Sequence, residues 1–280
     1  MNKIKIKKNS VQETLIIPLY GRKMCAEQFP TLYRDKYAEE ICNKIDYDFS
    51  DLDKNENRLM YQFGSLEGAM RELDMIYEIK DYLKTHEKAA VVNMGCGLNM
   101  TGRNADNGSC KMYNLDFQDV IELRNQIIPT CDREENIACD LNDFEWMNKI
   151  DSSDGAVFYA AGVFHYFTKE QIKKMVIAMA EKFPGCILVF DTAGKFARDK
   201  LMKFKLKKFG INDVSGLFCI SKENELKGWS DKIVLSSRKS YMNGYYALND
   251  PNIRPMHKFL AKLCDSLAKM YINRFEFVER

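Results

Sequence analysis

The run Ala89-Ala90-Val91-Val92-Asn93-Met94 passes directly into Gly95-Cys96-Gly97, and no other stretch constrains this chain as much. Glycine suits the end of an apolar strand because it permits a tight turn at positive φ and lets backbone approach a ligand closely. By itself Gly-x-Gly is a weak signal, since many strand-ending turns carry two glycines. Its surroundings make it informative. The next apolar run ends on Asp116, 21 residues beyond Gly95, where a carboxylate can accept hydrogen bonds from ribose hydroxyls. The plainer alternative is that Asp116 caps the helix after it.

The same rhythm of short apolar runs and helical patterns continues through the middle of the chain. Strands are expected at 89–94, 111–116, 135–139, 155–161 and 187–191, and helices at 116–128, 142–150 and 168–183. The last helix is the clearest. Thr168 and Gln171 match a capping box, Ile172, Met175, Val176 and Met179 repeat at helical spacing, and Pro184-Gly185 ends it. Strands alternating with helices argue for a parallel sheet covered on both faces. Upstream, 33–44 and 66–83 read as helices, so about ninety residues precede the first strand of the sheet. Downstream, 256–270 places Met256, Phe259, Leu260, Leu263, Leu267 and Met270 on one helical face, and 272–278 suits a closing strand. Without repeats or a linker, the chain reads as one elaborated unit: an N-terminal helical cap at 1–85 and an α/β unit at 86–280.

Two positions separate the nucleotide cofactors. A dinucleotide loop wants a third glycine so that pyrophosphate can reach a helix N-terminus, and Met100 occupies that place. A further acid, Asp140, closes the third strand in Cys139-Asp140-Leu141, where an adenine amino group needs an acceptor. A ribose acid and an adenine acid without a pyrophosphate loop point to S-adenosylmethionine over NAD(P). An NAD(P)-dependent oxidoreductase is the disfavoured alternative.

Composition removes other classes. Lys and Arg number 42 against 40 Asp and Glu, a net +2, whereas dedicated nucleic-acid binders usually carry a large basic excess. Lys203, Lys205, Lys207 and Lys208, interleaved with Phe204, Leu206 and Phe209, therefore read as a solvated helix face. The most apolar stretch, 155–164, is far short of the roughly 18 residues of a membrane span. Lysines alternate through Lys3-Ile4-Lys5-Ile6-Lys7-Lys8, so no secretory signal is expected there, and the segment reads as a tail or part of a lid. The nine cysteines form no Cys-x-x-Cys, which favours reduced core thiols in the cytoplasm over a metal site.

Several spaced motifs together resemble the leucine carboxyl methyltransferase superfamily, most nearly its tetracenomycin-type polyketide O-methyltransferases. They are Glu13 to Arg22, Asp35-Lys36-Tyr37-Ala38, Ile45 to Phe49, Arg71-Glu72-Leu73-Asp74 and Val92 to Gly97. Asp116 through Arg124, Asp140-Leu141 with Trp146, and Gly162 to Phe167 continue in the same order. The likeness is good over about residues 11 to 195 and loose beyond. It implies a Rossmann-like, doubly wound seven-stranded sheet, parallel but for one strand, that binds S-adenosylmethionine and releases S-adenosylhomocysteine. On that likeness Arg22 and Arg71 hold the methionine carboxylate, Gly95 and Gly97 line the methionine portion, Asp116 meets the ribose, and Asp140 and Leu141 meet the adenine. Cys96, Phe117 and Ala161 stand among the cofactor-binding positions. The residues alone would instead pair Arg71 with Asp74 at i+3 on a helix surface. Three positions depart from the family pattern: Asn99 for a usual acid, Ala161 for a usual Glu, and Cys96 for a common Ala.

The resemblance implies methyl transfer to a carboxyl or hydroxyl oxygen of a small, polyketide-like molecule. Methyl transfer is an in-line displacement that demands alignment and exclusion of water. A carboxylate acceptor needs no base, whereas a hydroxyl needs one within hydrogen-bond reach. His165 and Tyr166, just after the fourth strand, are the candidates for acceptor chemistry. Tyr20, Tyr245 and Tyr246 are further aromatic candidates for an acceptor pocket. Asn99 and Ala161 keep open a non-catalytic module that binds an adenosyl ligand or a partner.

Overall fold

The computed structural model describes residues 3–7, 11–202 and 216–279. A seven-stranded sheet forms its centre: β3 (Ala90–Met94), β4 (Lys111–Asp116), β5 (Glu134–Ala138), β6 (Ala156–Ala160), β7 (Ile187–Thr192), β8 (Ile233–Ser240) and β9 (Tyr271–Phe277), in the spatial order β5-β4-β3-β6-β7-β9-β8. The first five strands in that order run parallel, and β9 pairs antiparallel with both β7 and β8. Chain order reverses between β3 and β6. In open α/β sheets ligands lie beyond the carboxyl ends of the strands at such a switch point, which here is flanked by Gly95 and Gly162.

The central strands are apolar because both of their faces are covered. Along β3, β6 and β7, Val91, Val157 and Val189 turn to one layer while Val92, Phe158 and Leu188 turn to the other. The first layer holds the long helix α5 (Leu59–Leu83) and the C-terminal α9 (Pro255–Leu263). The second holds α8 (Lys169–Lys182) and buried Trp146. A third apolar cluster joins α2 (Ile16–Gln28) and α3 (Lys36–Lys44) to α7 (Gln118–Ile127). Short helices α1 (Val11–Thr14), α4 (Ser50–Asp53) and α6 (Thr101–Ala105), with a two-stranded parallel pairing of β1 (Ile4–Lys5) and β2 (Ile45–Asp46), complete the set used below.

The expected seven-stranded, mostly parallel doubly wound sheet is present. Thr168 and Gln171 form the capping box, with Thr168 Oγ1 accepting the Gln171 N–H at 3.2 Å and Gln171 Oε1 accepting the Thr168 N–H at 2.8 Å. Three details differ from the sequence expectation. The helix expected at 142–150 is a 3-10 turn, Phe144–Lys149, because Asp140 and Asp143 engage the following amides and tighten the chain. The stripe expected at 256–270 faces the core only in part: Leu260 packs against it and Met270 is buried, whereas Met256, Phe259 and Leu267 are exposed. His257, Ala261, Cys264 and Ala268 also face inward, and the small Ala261, Cys264 and Ala268 let the segment pack closely. Ile4 and Lys5, expected in a tail or lid, lie in a strand pairing. The lysine-rich 203–209 stretch and Lys8 lie outside the described residues. Among the described residues no helix is long and apolar enough to cross a membrane, and no His, Cys, Asp and Glu cluster could hold a metal.

Candidate functional site

At the carboxyl end of β3 the loop first prolongs the sheet: the Gly95 and Cys96 amides both donate to Leu115 O. It then turns sharply, with Gly95 at φ 72° and Gly97 at φ 48°. A Cβ at Gly95 would fall 2.5 Å from a Val163 methyl, so this glycine also permits the β3 and β6 loops to meet. The Asn99 N–H closes the turn on Cys96 O at 3.0 Å. Cys96 is enclosed, and burial pushes its thiol up to about 12.

Asp116, ending β4, accepts the Gly97 N–H on one oxygen and the Phe117 N–H on the other, each at 2.8 Å. Burial raises its pKa and the two amides oppose that rise. The capping alternative is not realised, since α7 begins at Gln118 after an N-cap, Phe117, that makes no side-chain cap. The Phe117 ring is exposed beside it. One strand further, Asp140 is exposed and turns one oxygen to the Asn142 amide and side chain, both at 2.9 Å, while Leu141 is buried. Gly95, Gly97, Asp116 and Asp140 thus line one edge, at the carboxyl ends of three adjacent strands.

The two arginines differ. Arg22 is buried, donates to Asp35 Oδ2 and to Leu98 O at 3.0 Å each, and lies 3.8 Å from Glu72. It therefore grips protein groups. Glu72 also accepts from Thr101 at 3.1 Å and from Tyr33, which ties α5 to the segment after the loop. Arg71 keeps about a quarter of its side chain open and lies 3.4 Å from Asp191. A Cβ at Gly162, φ 73°, would fall 2.5 Å from the Arg71 guanidinium, so the glycine makes room for it. The surface pair with Asp74 does not form. Asp74 is fully buried with neither oxygen hydrogen-bonded, and burial pushes its carboxyl up to about 8. Glu78 and Asp265 push the same way, against the nearby Tyr245 amide.

Asp191, at the end of β7, is the hub of the second half. It accepts from Gly162 N–H at 2.8 Å, His165 Nε2 at 3.1 Å and the Tyr241 hydroxyl at 2.5 Å, besides meeting Arg71. Burial opposes its ionisation, yet His165, Arg71 and Tyr241 hold it well below the usual carboxylate range. Among the described residues His165 Nδ1 is a buried atom without a hydrogen-bond partner, and in the tautomer that donates Nε2–H to Asp191 it carries the ring's lone pair. Tyr166 is nearly half exposed, and Ala161 packs half-buried against the core of the α5 layer. Of the other aromatics, Tyr20 stacks on Phe49 and bonds Asp53, and Tyr245 stacks on Tyr77 and bonds Glu78, so both serve packing. Tyr246 contacts Tyr77 edge-on.

Asp191 and Tyr241 escaped the sequence reading. Asp191 carries the same signal as Asp116 and Asp140, an acid closing an apolar strand. A shallow cleft of about 510 Å³, lined by Tyr82, His86, Cys186 and Arg274 among others, lies at the amino end of β7. Ligands of open parallel sheets bind at the other end.

A sequence profile described as leucine carboxyl methyltransferase matches residues 20–180, more than half of the chain. The tetracenomycin polyketide synthesis O-methyltransferase TcmP of Streptomyces glaucescens is 26% identical over 188 residues, covering 66% of this chain and 67% of the relative. An S-adenosyl-L-methionine-dependent methyltransferase, dpfgK, of Gibberella zeae is 25% identical over 198 residues, covering 65% of each chain. The chain spans about two thirds of the length of these relatives. The structure of the plantazolicin methyltransferase BpumL in complex with SAH shares the fold, with TM-score 0.51 at 12% identity over 96% of this chain and 99% of that one.

Proposed function

This chain belongs to the leucine carboxyl methyltransferase family, and from that premise we propose that it methylates an oxygen of a small molecule, with S-adenosylmethionine as methyl donor. The observation that carries this reading is the meeting, at one switch point, of the Gly95–Gly97 turn bonded to Asp116 with the Asp191 hub. The donor set fits the cofactor. Asp116 would take the ribose, Asp140 and Leu141 the adenine side, and the partly open Arg71 the methionine carboxylate, which a guanidinium can hold by two parallel hydrogen bonds. Gly95, Cys96 and Gly97 would line the methionine chain, with Phe117 and Ala161 at the two ends. Arg22 would act through the protein groups that it grips.

When bound, the cofactor supplies an electrophilic methyl on sulfonium. The acceptor oxygen forms the new bond to that methyl while the carbon–sulfur bond breaks and its electron pair stays on sulfur. The chain aligns the two partners and excludes water. Tyr166 would line the acceptor's entrance. His165, oriented by Asp191, would take the proton of a hydroxyl on Nδ1, whereas a carboxylate acceptor leaves that nitrogen unused. We further propose that 1–85 acts as the cap and 86–280 as the transferase unit, working in the cytoplasm, where unpaired cysteines such as those of this chain persist. Neither nucleic acid nor membrane enters this reading.

The test is incubation with S-adenosylmethionine and a panel of phenols and carboxylic acids, followed by S-adenosylhomocysteine release and product mass. Ether products survive mild base and methyl esters hydrolyse. An acceptor methylated by wild type but not by His165→Ala identifies a hydroxyl substrate, and one methylated equally by both identifies a carboxylate. Methylation at nitrogen or carbon only would overturn the oxygen assignment. A panel that leaves S-adenosylmethionine intact while both adenosyl ligands bind would favour the non-catalytic module.

A further inference from the structure

Three successive carbonyl groups of the glycine loop are held from within the protein by two buried guanidinium groups. Arg124 Nη1 donates to Gly97 O at 3.0 Å and to Asn99 O at 2.9 Å, and Arg22 Nη2 donates to Leu98 O at 3.0 Å. Both arginines are sealed from solvent, at 8% and 1% exposure. We propose that Arg22 and Arg124 are positioning residues that fix the 95–99 loop in its ligand-receiving shape. The proposal rests on the cofactor reading above and names how this chain prepares that site.

A strand-ending turn ordinarily meets its carbonyls with backbone amides or water. Two buried cations are a demanding substitute, because each must be taken out of water and then paired. Each of these cations has a carboxylate beside it. Arg124 and Arg103 share Glu134, with Arg124 Nη2 at 3.4 Å and Arg103 Nε at 2.8 Å, and Arg22 lies against Asp35 and Glu72. Three guanidiniums thus face three carboxylates. Arg124 leaves its buried Nε unbonded while Nη1 serves two loop carbonyls, so the loop accounts for its orientation.

The consequence for a ligand follows from peptide planarity. In a trans peptide the carbonyl and the next N–H point in opposite directions. Drawing Gly97 O toward Arg124 therefore turns the Leu98 N–H the other way, and among the described residues that amide has no partner. The Gly97 N–H is already committed to Asp116. The loop is held with three carbonyl oxygens drawn to the arginines and the Leu98 N–H turned away from them, beside the acid assigned to the ribose. Arg22 would contribute to cofactor binding through this grip on Leu98.

The experiment compares full-length wild type, Arg124→Lys, Arg124→Met and Ile172→Val. Each is titrated with S-adenosylhomocysteine by calorimetry, and amide exchange is followed over residues 95–99. Lysine keeps the charge but cannot span two carbonyls. Arg124→Lys is expected to remain folded, to bind at least about tenfold more weakly and to exchange faster at the loop, with Arg124→Met weaker still. Ile172→Val, in the opposite layer, is expected to lower the Tm with unchanged affinity, which separates positioning from general stability. Unchanged affinity and unchanged loop exchange in folded Arg124→Lys would overturn the proposal. A wild-type chain that does not bind S-adenosylhomocysteine, while Arg124→Lys still loosens the loop, would overturn the cofactor reading and leave the grip standing.

Discussion

The two halves of the candidate site are built in opposite ways. At the ends of β3 and β4 almost every polar group of the loop is engaged: Gly97, Leu98 and Asn99 carbonyls by arginines, the Gly97 amide by Asp116. At the ends of β6 and β7 one buried carboxylate collects four donors, yet its neighbours stay incomplete. His165 Nδ1 lacks a partner, Arg71 is partly open and the Tyr166 ring stands in solvent. The first half has its shape before any ligand arrives, which is how electrostatic complementarity is most effective. The second half has its anchor but awaits groups that complete it. A common cofactor and a variable acceptor would call for that division.

The severest way to break the comparison is Asp191→Ala. Removing the shared anion leaves Arg71, His165 and Tyr241 facing one another without it, and a loss of about 3–5 kcal/mol in urea denaturation is expected. Stability like that of wild type would show that the second half has no anchor.

Asp74 lies one turn beyond Arg71 on α5 and tests the same region by pH. Its folded-state pKa, about 8, is raised above that of an unfolded carboxyl. The neutral form therefore stabilises the fold fully at pH below the ordinary carboxylate range, and that contribution is lost as pH rises through about 8. Wild type is expected to weaken across this window by on the order of a few kcal/mol, and Asp74→Asn to remove most of the slope. Parallel pH profiles for the two proteins would show that Asp74 is solvated or paired.

For the preformed half, Asp116→Ala is expected to weaken S-adenosylmethionine by about 1–3 kcal/mol through lost charge-assisted hydrogen bonds. Calorimetry on the folded variant reads this directly, and unchanged affinity would move the ribose elsewhere. The smallest effect is expected for Tyr166→Ala. Stability should stay within about 0.5 kcal/mol and S-adenosylhomocysteine affinity should not change, while acceptor KM rises. Weaker binding of S-adenosylhomocysteine would place Tyr166 in the cofactor half and blur the division.

The parts legible in the sequence are those where local pattern and tertiary role coincide. Strands β3, β6 and β7 are buried on both faces and read as apolar runs. The edge strand β8, Ile-Val-Leu-Ser-Ser-Arg-Lys-Ser, is half exposed and bulged near Leu235 and Ser237, and was missed. Tyr241 follows it and was lost with it. Helix α2 carries Pro18, which its first turn tolerates, and α5 begins seven residues before its expected start, running through Gly64, a poor helix former. Asp116, Asp140 and the glycine turn could be singled out because strand ends announce themselves. Arg124 could not be singled out in the same way: it sits among Val120, Leu123 and Ile127 on the buried side of α7, and only a tertiary contact shows what an arginine does there.

The grip on the glycine loop also orders events in time. Its two hands come from 76 residues upstream and 27 residues downstream of the carbonyls they hold. Contacts so distant along the chain form after local helices and turns, since closing long segments comes late. A refolding chain would therefore show native helix content before its loop acquires a fixed shape. Ligand-binding competence would be the last property regained, arriving only when the N-terminal helices have docked.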